Sequence, residues 1–399
     1  MIASRKLRGF GVLGLLAALT ACGGSAAAPS SASPSALAKP SVAPASAAAT
    51  AKPAAAASAS AKPAASGPAA ASGSAAGNVT EFNYGISAIA GGALPTWIAQ
   101  KHGFDTKNGL KLNVINAEGG SRGLQILLGG QLQAMEVGLA PVVISNSNGA
   151  NFRLITSTEN FIPFIFFGAK GITAGNAAQK LKGGKIGIST FGSESDVAAS
   201  MYIEKLGLVR DKDVTVVQVP GSSAARLSGV VSGSLSAAPL TAAQVVQAKD
   251  QGLQPLIDLS KNSSWVFDGA VVDKTFADAH QDMYLALAKT LVEGNFYARA
   301  HPDEGKQILG EQNKTTDQNV IDATYQEFLD GPLDLKPTAA GIQEVLKQVP
   351  ALTQTKLKSQ NPSDYVDTTL LDKLQASGFT DQMRKQYNIS ASAPASGSS

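Results

Sequence analysis

One cysteine, Cys22, serves a chain of 399 residues. A lone thiol excludes an intrachain disulfide, a Cys-x-x-Cys redox pair and a metal centre built on thiolates. Histidine is nearly as scarce: His102, His280 and His301 are the three present. They stand far apart, none with a second histidine at helical spacing, so neither a zinc site nor a nucleophile–histidine triad is supported. No metal, no cofactor and no nucleophile elbow is expected. The phosphate-loop pattern G-x-x-x-x-G-K-[ST] is missing, because Lys185 precedes its strand instead of following it on the turn. Acidic residues are absent before Glu81, where six of the 33 Lys+Arg fall, leaving 27 against all 30 Asp+Glu in the remainder. That remainder balances at −3, so the formal +3 of the chain belongs to its N-terminal part and offers no basic surface for nucleic acid.

The N-terminus reads as a targeting segment. Arg5, Lys6 and Arg8 precede the apolar run Gly9–Thr20. At about a dozen residues this run is too short to span a bilayer and has the length of a signal-peptide core. It ends in Leu19-Thr20-Ala21-Cys22-Gly23, which resembles the bacterial lipobox, where the residue after the cut is a lipid-modified cysteine. Residues 1–21 are therefore expected to be a lipoprotein signal peptide, with Cys22 lipidated and holding the chain to a membrane. Several acyl chains on one cysteine would meet the requirement of more than one lipid for stable anchoring. Residues 22–77 are almost wholly Ala, Ser, Pro, Gly and Thr, without an aromatic side chain. Such a stretch buries too little apolar surface to offset the entropy of ordering. A disordered tether is expected, reaching roughly 40 Å as a flexible coil.

Beyond it lie roughly 320 residues, more than a single core usually holds before splitting. Strand and helix patterns alternate with short turns, which argues for an α/β fold with parallel or mixed sheets. Phe82–Ile86, Leu110–Ile115, Ala134–Val137, Phe152–Ile155 and Pro163–Phe167 read as strands, with helices at Thr96–His102 and Leu124–Leu128 and a turn at Leu139–Pro141. The scheme then repeats: strand Lys185–Ile188, helix Ser193–Leu206, strand Val214–Val219 and helix Arg226–Val231. Gly130-Gln131-Leu132-Gln133-Ala134 matches Gly233-Ser234-Leu235-Ser236-Ala237. Upstream, Gly120-Ser121 matches Gly221-Ser222 and Leu110–Val114 matches Val214–Val217, in the same order. Two lobes built on one duplicated pattern are expected. Lobe one takes residues 78–166, lobe two 167–268, and 269–389 complete lobe one. Ser264–Val272 returns as a strand, and amphipathic helices follow from Asp282–Arg299 to Thr368–Gln375. Residues 390–399 form a disordered tail.

A strand that ends in small residues at a helix N-terminus presents free backbone N–H groups to a crevice. Lys182–Ser200 is such a stretch, with Ser193 and Asp196 in the S-x-x-D capping pattern. By the same logic the candidate ligand-binding residues are Ser87, Gly91, Gly92, Ala93, Gly120, Ser121, Leu139, Ala140, Ser189, Thr190, Phe191, Ser193, Ser222 and Thr241. Glu194 and Asp196 stand where a bound anion would compete with them, so the sign of the ligand's charge stays open. Arg122 and Arg226 are the guanidinium groups nearest the expected cleft, and Trp97 and Trp265 either stack on a ligand or pack between the lobes.

Several segments carry a family resemblance over about 80–389: Pro95–Phe104, Asn108–Leu112, Leu127–Leu132, Leu181–Gly187, Lys212–Thr215 and Ser377–Phe379. In their order and spacing they resemble the solute-binding proteins of bacterial ABC importers, in the NMT1/THI5-like (SsuA-like, nitrate/sulfonate/taurine-type) group. That resemblance implies a type II periplasmic-binding-protein fold whose two α/β lobes close on a small solute. It also implies delivery to a membrane permease and its ATPase by a monomeric, non-enzymatic, extracytoplasmic protein. A ligand-sensing module of a membrane signalling system is the alternative. Where the family often has an aspartate in a Gly-x-hydrophobic-Asp-Ala pattern near the cleft, this chain has Gln133 and Ser236. The related pyrimidine synthases, which rely on a cysteine-rich iron motif, are excluded by the single cysteine.

Overall fold

A computed structural model describes residues 79–219, 223–261 and 263–390. The expected signal peptide, Cys22, the tether, Ser222 and all but the first residue of the expected tail lie outside the described residues. Gly73–Ser399 is one compact unit.

Its strands are β1 (Thr80–Ile86), β2 (Leu110–Asn116), β3 (Ala134–Glu136), β4 (Phe152–Leu154), β5 (Ile165–Gly168), β6 (Lys185–Ile188), β7 (Thr215–Gln218), β8 (Ala237–Leu240), β9 (Pro255–Asp258) and β10 (Ala270–Asp273). They form two five-stranded sheets, ordered β2-β1-β3-β10-β4 and β7-β6-β8-β5-β9. In each, the first three strands run parallel and the last two pair antiparallel. The sheets therefore correspond place for place, as the matched pentapeptides require: Ala134 opens β3 and Ala237 opens β8. Leu132 and Leu235, the apolar residues of those pentapeptides, each close over a glycine of the neighbouring strand. A methyl group on Gly187 would lie 2.5 Å from Leu235 Cδ1, and one on Gly85 would lie 2.7 Å from Leu132 Cδ1. Gly187→Ala is expected to cost about 1–3 kcal/mol by overpacking, read as a lower urea midpoint.

All of β5 pairs in the second sheet, so the expected lobe boundary at 166/167 falls inside a strand that belongs wholly to lobe two. The chain crosses between lobes twice, once between Leu154 and Ile165 and once between Asp258 and Ala270. The two crossing segments run side by side. Thr158 N–H donates to Asp268 O at 2.9 Å, Phe267 N–H to Glu159 O at 2.9 Å and Trp265 N–H to Asn160 O at 3.2 Å. Ser264–Val272, expected as one strand, is thus ribbon first and sheet only from Ala270.

Leu139–Pro141 is not a turn but the opening of helix Leu139–Ser147. Proline suits that place, because first-turn amides have no intrahelical acceptor to lose. Helix Gln281–Ala300 packs along helix Leu94–His102 of lobe one. Two later helices do more. Helix Gln318–Asp330 lies against Gly91–Ala93 of lobe one and helix Ala242–Asp250 of lobe two, while helix Ala339–Thr353 lies against helices Leu139–Ser147 and Glu194–Lys205. Among the described residues no helix is long and apolar enough to cross a membrane.

Candidate functional site

Between the sheets is a cavity of about 280 Å³. Its walls are the segments that leave the carboxyl ends of the parallel strands, where open α/β sheets bind ligands. Lobe one contributes Ser87–Ala90 after β1, Gly119 and Gly120 after β2, and Val137 and Gly138 after β3. Lobe two answers with Ser189 and Ser193–Ser195 after β6, Ser223, Ala224 and Arg226 after β7, and Thr241 and Gln244 after β8. The crossing ribbon adds Pro163, Phe164, Phe267 and Asp268, and helix Pro302–Asn313 brings Gln312–Lys314 to the mouth.

Five expected residues therefore line one space: Ser87, Gly120, Ser189, Ser193 and Thr241. Others lie behind it. Gly91, Gly92 and Ala93 form a buried helical turn, with Gly91 N–H donating to Glu327 Oε1 at 3.0 Å. Leu139 and Ala140 are the buried start of their helix. Phe191 is not part of the lining and is half-exposed, its ring 5.8 Å from the Arg210 guanidinium. Thr190 lies beside Gly119, filling the space a side chain there would need. Ser121 occupies Gly119-Gly120-Ser121-Arg122-Gly123, which does spell G-x-S-x-G, against the expectation that no nucleophile elbow exists. Its buried Oγ has no hydrogen-bond partner among the described residues, so no histidine activates it. Arg122 pairs with Glu118 on the surface. Gln133 and Ser236 accept the N–H of Asn83 (2.7 Å) and Lys185 (3.2 Å) at the amino ends of β3 and β8. Those positions are the wrong ends of the strands for the cleft, so replacing an aspartate there does not bear on what the cleft binds.

The hydroxyls of Ser189, Ser193 and Ser195 close on one another in a triangle of 2.9–3.0 Å edges. Ser193 also caps its helix by accepting from Asp196 N–H, as the capping pattern predicts. Asp196 is neutralised from behind: its Oδ1 stands 2.6 Å from Arg210 Nη1 and its Oδ2 accepts Gly192 N–H at 2.8 Å. Arg210→Ala is expected to cost about 1–2 kcal/mol, since it leaves a buried carboxylate without its charged partner. Equilibrium unfolding measures it.

Glu194 behaves differently. From lobe two it reaches across the cleft, where its Oε1 accepts Ala140 N–H of lobe one at 3.0 Å and its Oε2 accepts Trp265 Nε1–H at 3.0 Å. The carboxyl lies so close over Gly138 that any side chain there would collide with it and with Phe267 O. Glu327 makes the reciprocal crossing, its Oε1 on Gly91 and its Oε2 accepting Ala242 N–H of lobe two at 3.1 Å. Each lobe's helix after its third parallel strand is thus met at its N-terminus by a carboxyl group from across the cleft. Burial pushes Glu194 up to about 8, tempered by its two donors. Burial also raises Asp268, Glu327, Glu136 and Glu159; Glu327 hinders ionisation of Asp268 and Glu159, Asp268 that of Glu136 and Glu159, and Glu136 that of Glu159. The buried Arg226 donates from Nε to Pro239 O at 3.1 Å, and burial lowers it to about 10. Sequence reasoning saw Glu194 and Arg226 only as neighbours of the cleft and had no sign of Asp268, Glu327 or Gln312–Lys314. No local pattern marks residues brought in from distant helices.

Among the described residues, no group of His, Cys, Asp or Glu side chains is arranged to hold a metal ion. Residues 75–311 match the NMT1-like family. None of the curated proteins matches the sequence. A protein of Bordetella bronchiseptica RB50 has a similar structure, with a TM-score of 0.67 at 20% identity over 78% of this chain and 99% of that one. The periplasmic nitrate-binding protein NrtA of Synechocystis PCC 6803 gives 0.61 at 14% identity, covering 77% and 91%. The alkanesulfonate-binding protein SsuA of Xanthomonas axonopodis pv. citri, bound to MOPS, gives 0.59 at 14%, covering 73% and 99%. At such identities the likeness is one of fold: two α/β lobes around a cleft.

Proposed function

The chain belongs to the NMT1-like family, and from that premise we propose that it is a lipid-anchored, extracytoplasmic solute-binding protein of an ABC importer. It captures a small organic or anionic solute by closing two lobes and presents the closed form to a membrane permease and its ATPase. The observation that carries this reading is the cavity itself. It is walled by equivalent segments of both lobes and backed by a double crossing, the geometry of a hinged clamp. Nitrate binding by NrtA and MOPS in SsuA support a small-solute role. The solute leaves unchanged, because among the described residues the cavity presents no nucleophile paired with a histidine base. The expected signal peptide, Cys22 and the tether support anchoring at a membrane surface, and the reading takes the protein as a monomer.

A thermal-shift panel of sulfonates, nitrate, bicarbonate, pyrimidines, flavins and aromatic acids tests the reading. A solute at a hundred times its dissociation constant stabilises the folded state by about 2.7 kcal/mol. Silence of the folded protein across the panel contradicts solute capture. Mass spectrometry of the mature N-terminus, expected to begin at an acylated Cys22, tests the anchor; an unmodified chain starting at Met1 contradicts it.

A further inference from the structure

We infer that the cleft takes a small organic cation, a solute whose ammonium, amidinium or guanidinium group is held against Asp268. The inference rests on reading the cleft as a solute site. Two helix N-termini and three hydroxyls that would receive an oxyanion are already in use. Glu194 occupies the N-terminus of helix Leu139–Ser147, and Glu327 occupies that of helix Ala242–Asp250. The hydroxyls of Ser189, Ser193 and Ser195 are engaged with one another.

What remains open is an acceptor. Asp268 is only 6% exposed and lines the cavity. Its Oδ1 accepts Gly269 N–H at 3.0 Å, while its Oδ2 has no donor among the described residues. The titratable groups acting on it or acted on by it are Glu327, Glu136, Glu159, Glu194 and Tyr84, with no basic side chain among them. Carboxyls buried together without a counter-ion hold protons, and a cation arriving among them takes the protons' place. Among the described residues no donor set for a metal ion is present, whereas an organic cation needs one well-placed carboxylate and an apolar surround. Phe164 and Phe267 supply that surround, packed edge to face at 5.1 Å on the cavity wall, and aromatic faces favour cations further. Arg226 and Lys314, the basic side chains of the cavity lining, are not among the charges that set the ionisation of Asp268 or Glu194. The Arg226 guanidinium is left for an acceptor at the other end of the solute.

Benzamidine, benzamide and benzoate share one shape and differ in charge, so calorimetric titration of the purified protein with the three, and with nitrate and ethanesulfonate, tests the inference. Benzamidine is expected to bind at least about tenfold more tightly than the others, the worth of one charge-assisted hydrogen bond. Its affinity should rise from about pH 6 to about pH 9 with release of protons, because the cation requires the ionised carboxylate. Asp268→Asn, which keeps an oxygen for Gly269, should remove the preference for benzamidine over benzamide. Tighter binding of benzoate, nitrate or ethanesulfonate overturns the inference and leaves solute capture standing. Binding of none of the five overturns it, and if the thermal-shift panel is also silent, solute capture falls with it. Should the variant fail to fold, the pH profile of the unaltered protein still decides: an affinity flat or falling with pH contradicts the cation.

Discussion

Glu194→Ala is expected to open the cleft and weaken solute binding by about ten- to a hundredfold. The side chain belongs to lobe two, yet one of its acceptor oxygens serves Ala140 of lobe one and the other serves Trp265 in the crossing ribbon. Truncation leaves both donors without partners in the closed form, at about 1–3 kcal/mol each. In the open form water satisfies them, so the loss falls on closure. A ligand that binds the closed form then spends part of its binding free energy restoring it. Glutamine does not repair the contact, because its amide offers an oxygen to one donor and an N–H against the other. Glu327→Ala acts in the same way on Gly91 and Ala242. Small-angle scattering should show a larger radius of gyration for either variant, and the Trp265 emission should move to longer wavelength. An unchanged radius together with unchanged affinity would mean that the two carboxyls do not hold the lobes together.

The second large effect concerns pH. The solute-free protein is expected to be most stable near pH 5 and to lose several degrees of melting temperature as the pH rises through about 8. Burial raises the folded-state values of Glu194, to about 8, and of Glu136, Glu159, Asp268 and Glu327 above those of ordinary carboxyls. Between the ordinary carboxylate range and these raised values the folded chain binds more protons than the unfolded one. Stability is therefore full below that range and declines as the folded carboxyls are forced to ionise. Melting curves between pH 5 and about pH 9 read this directly, and a stability that rises over the interval contradicts it. Glu194→Gln should flatten the upper part of the decline, since it removes the group that titrates near 8.

The architecture was largely legible because the two sheets share one strand order and carry matching local patterns. Leu132 and Leu235 each cover a glycine in the adjacent strand, so both pentapeptides carry a leucine at the same place. Ser193 and Asp196 announced their helix through capping chemistry, which is local. The turn read at Leu139–Pro141 failed because proline marks a helix start as readily as a turn. The site was legible only where a wall comes from a strand end. Ser87, Gly120, Ser189, Ser193 and Thr241 are of that kind. Asp268 sits on a crossing ribbon whose pairing with Thr158 and Glu159 spans more than a hundred positions. Glu327 acts from a C-terminal helix wedged between lobes. Neither has a neighbour in sequence that hints at its partner.

A crystal structure of the protein grown with a compound that binds it is the most direct test of the clamp. The solute is expected between the strand ends, touching Ser87–Ala90 of lobe one and Thr241–Gln244 of lobe two at once, with Glu194 on Ala140 and Glu327 on Ala242. A solute bound on an outer surface, or to one lobe with the cleft empty, would contradict capture by closure.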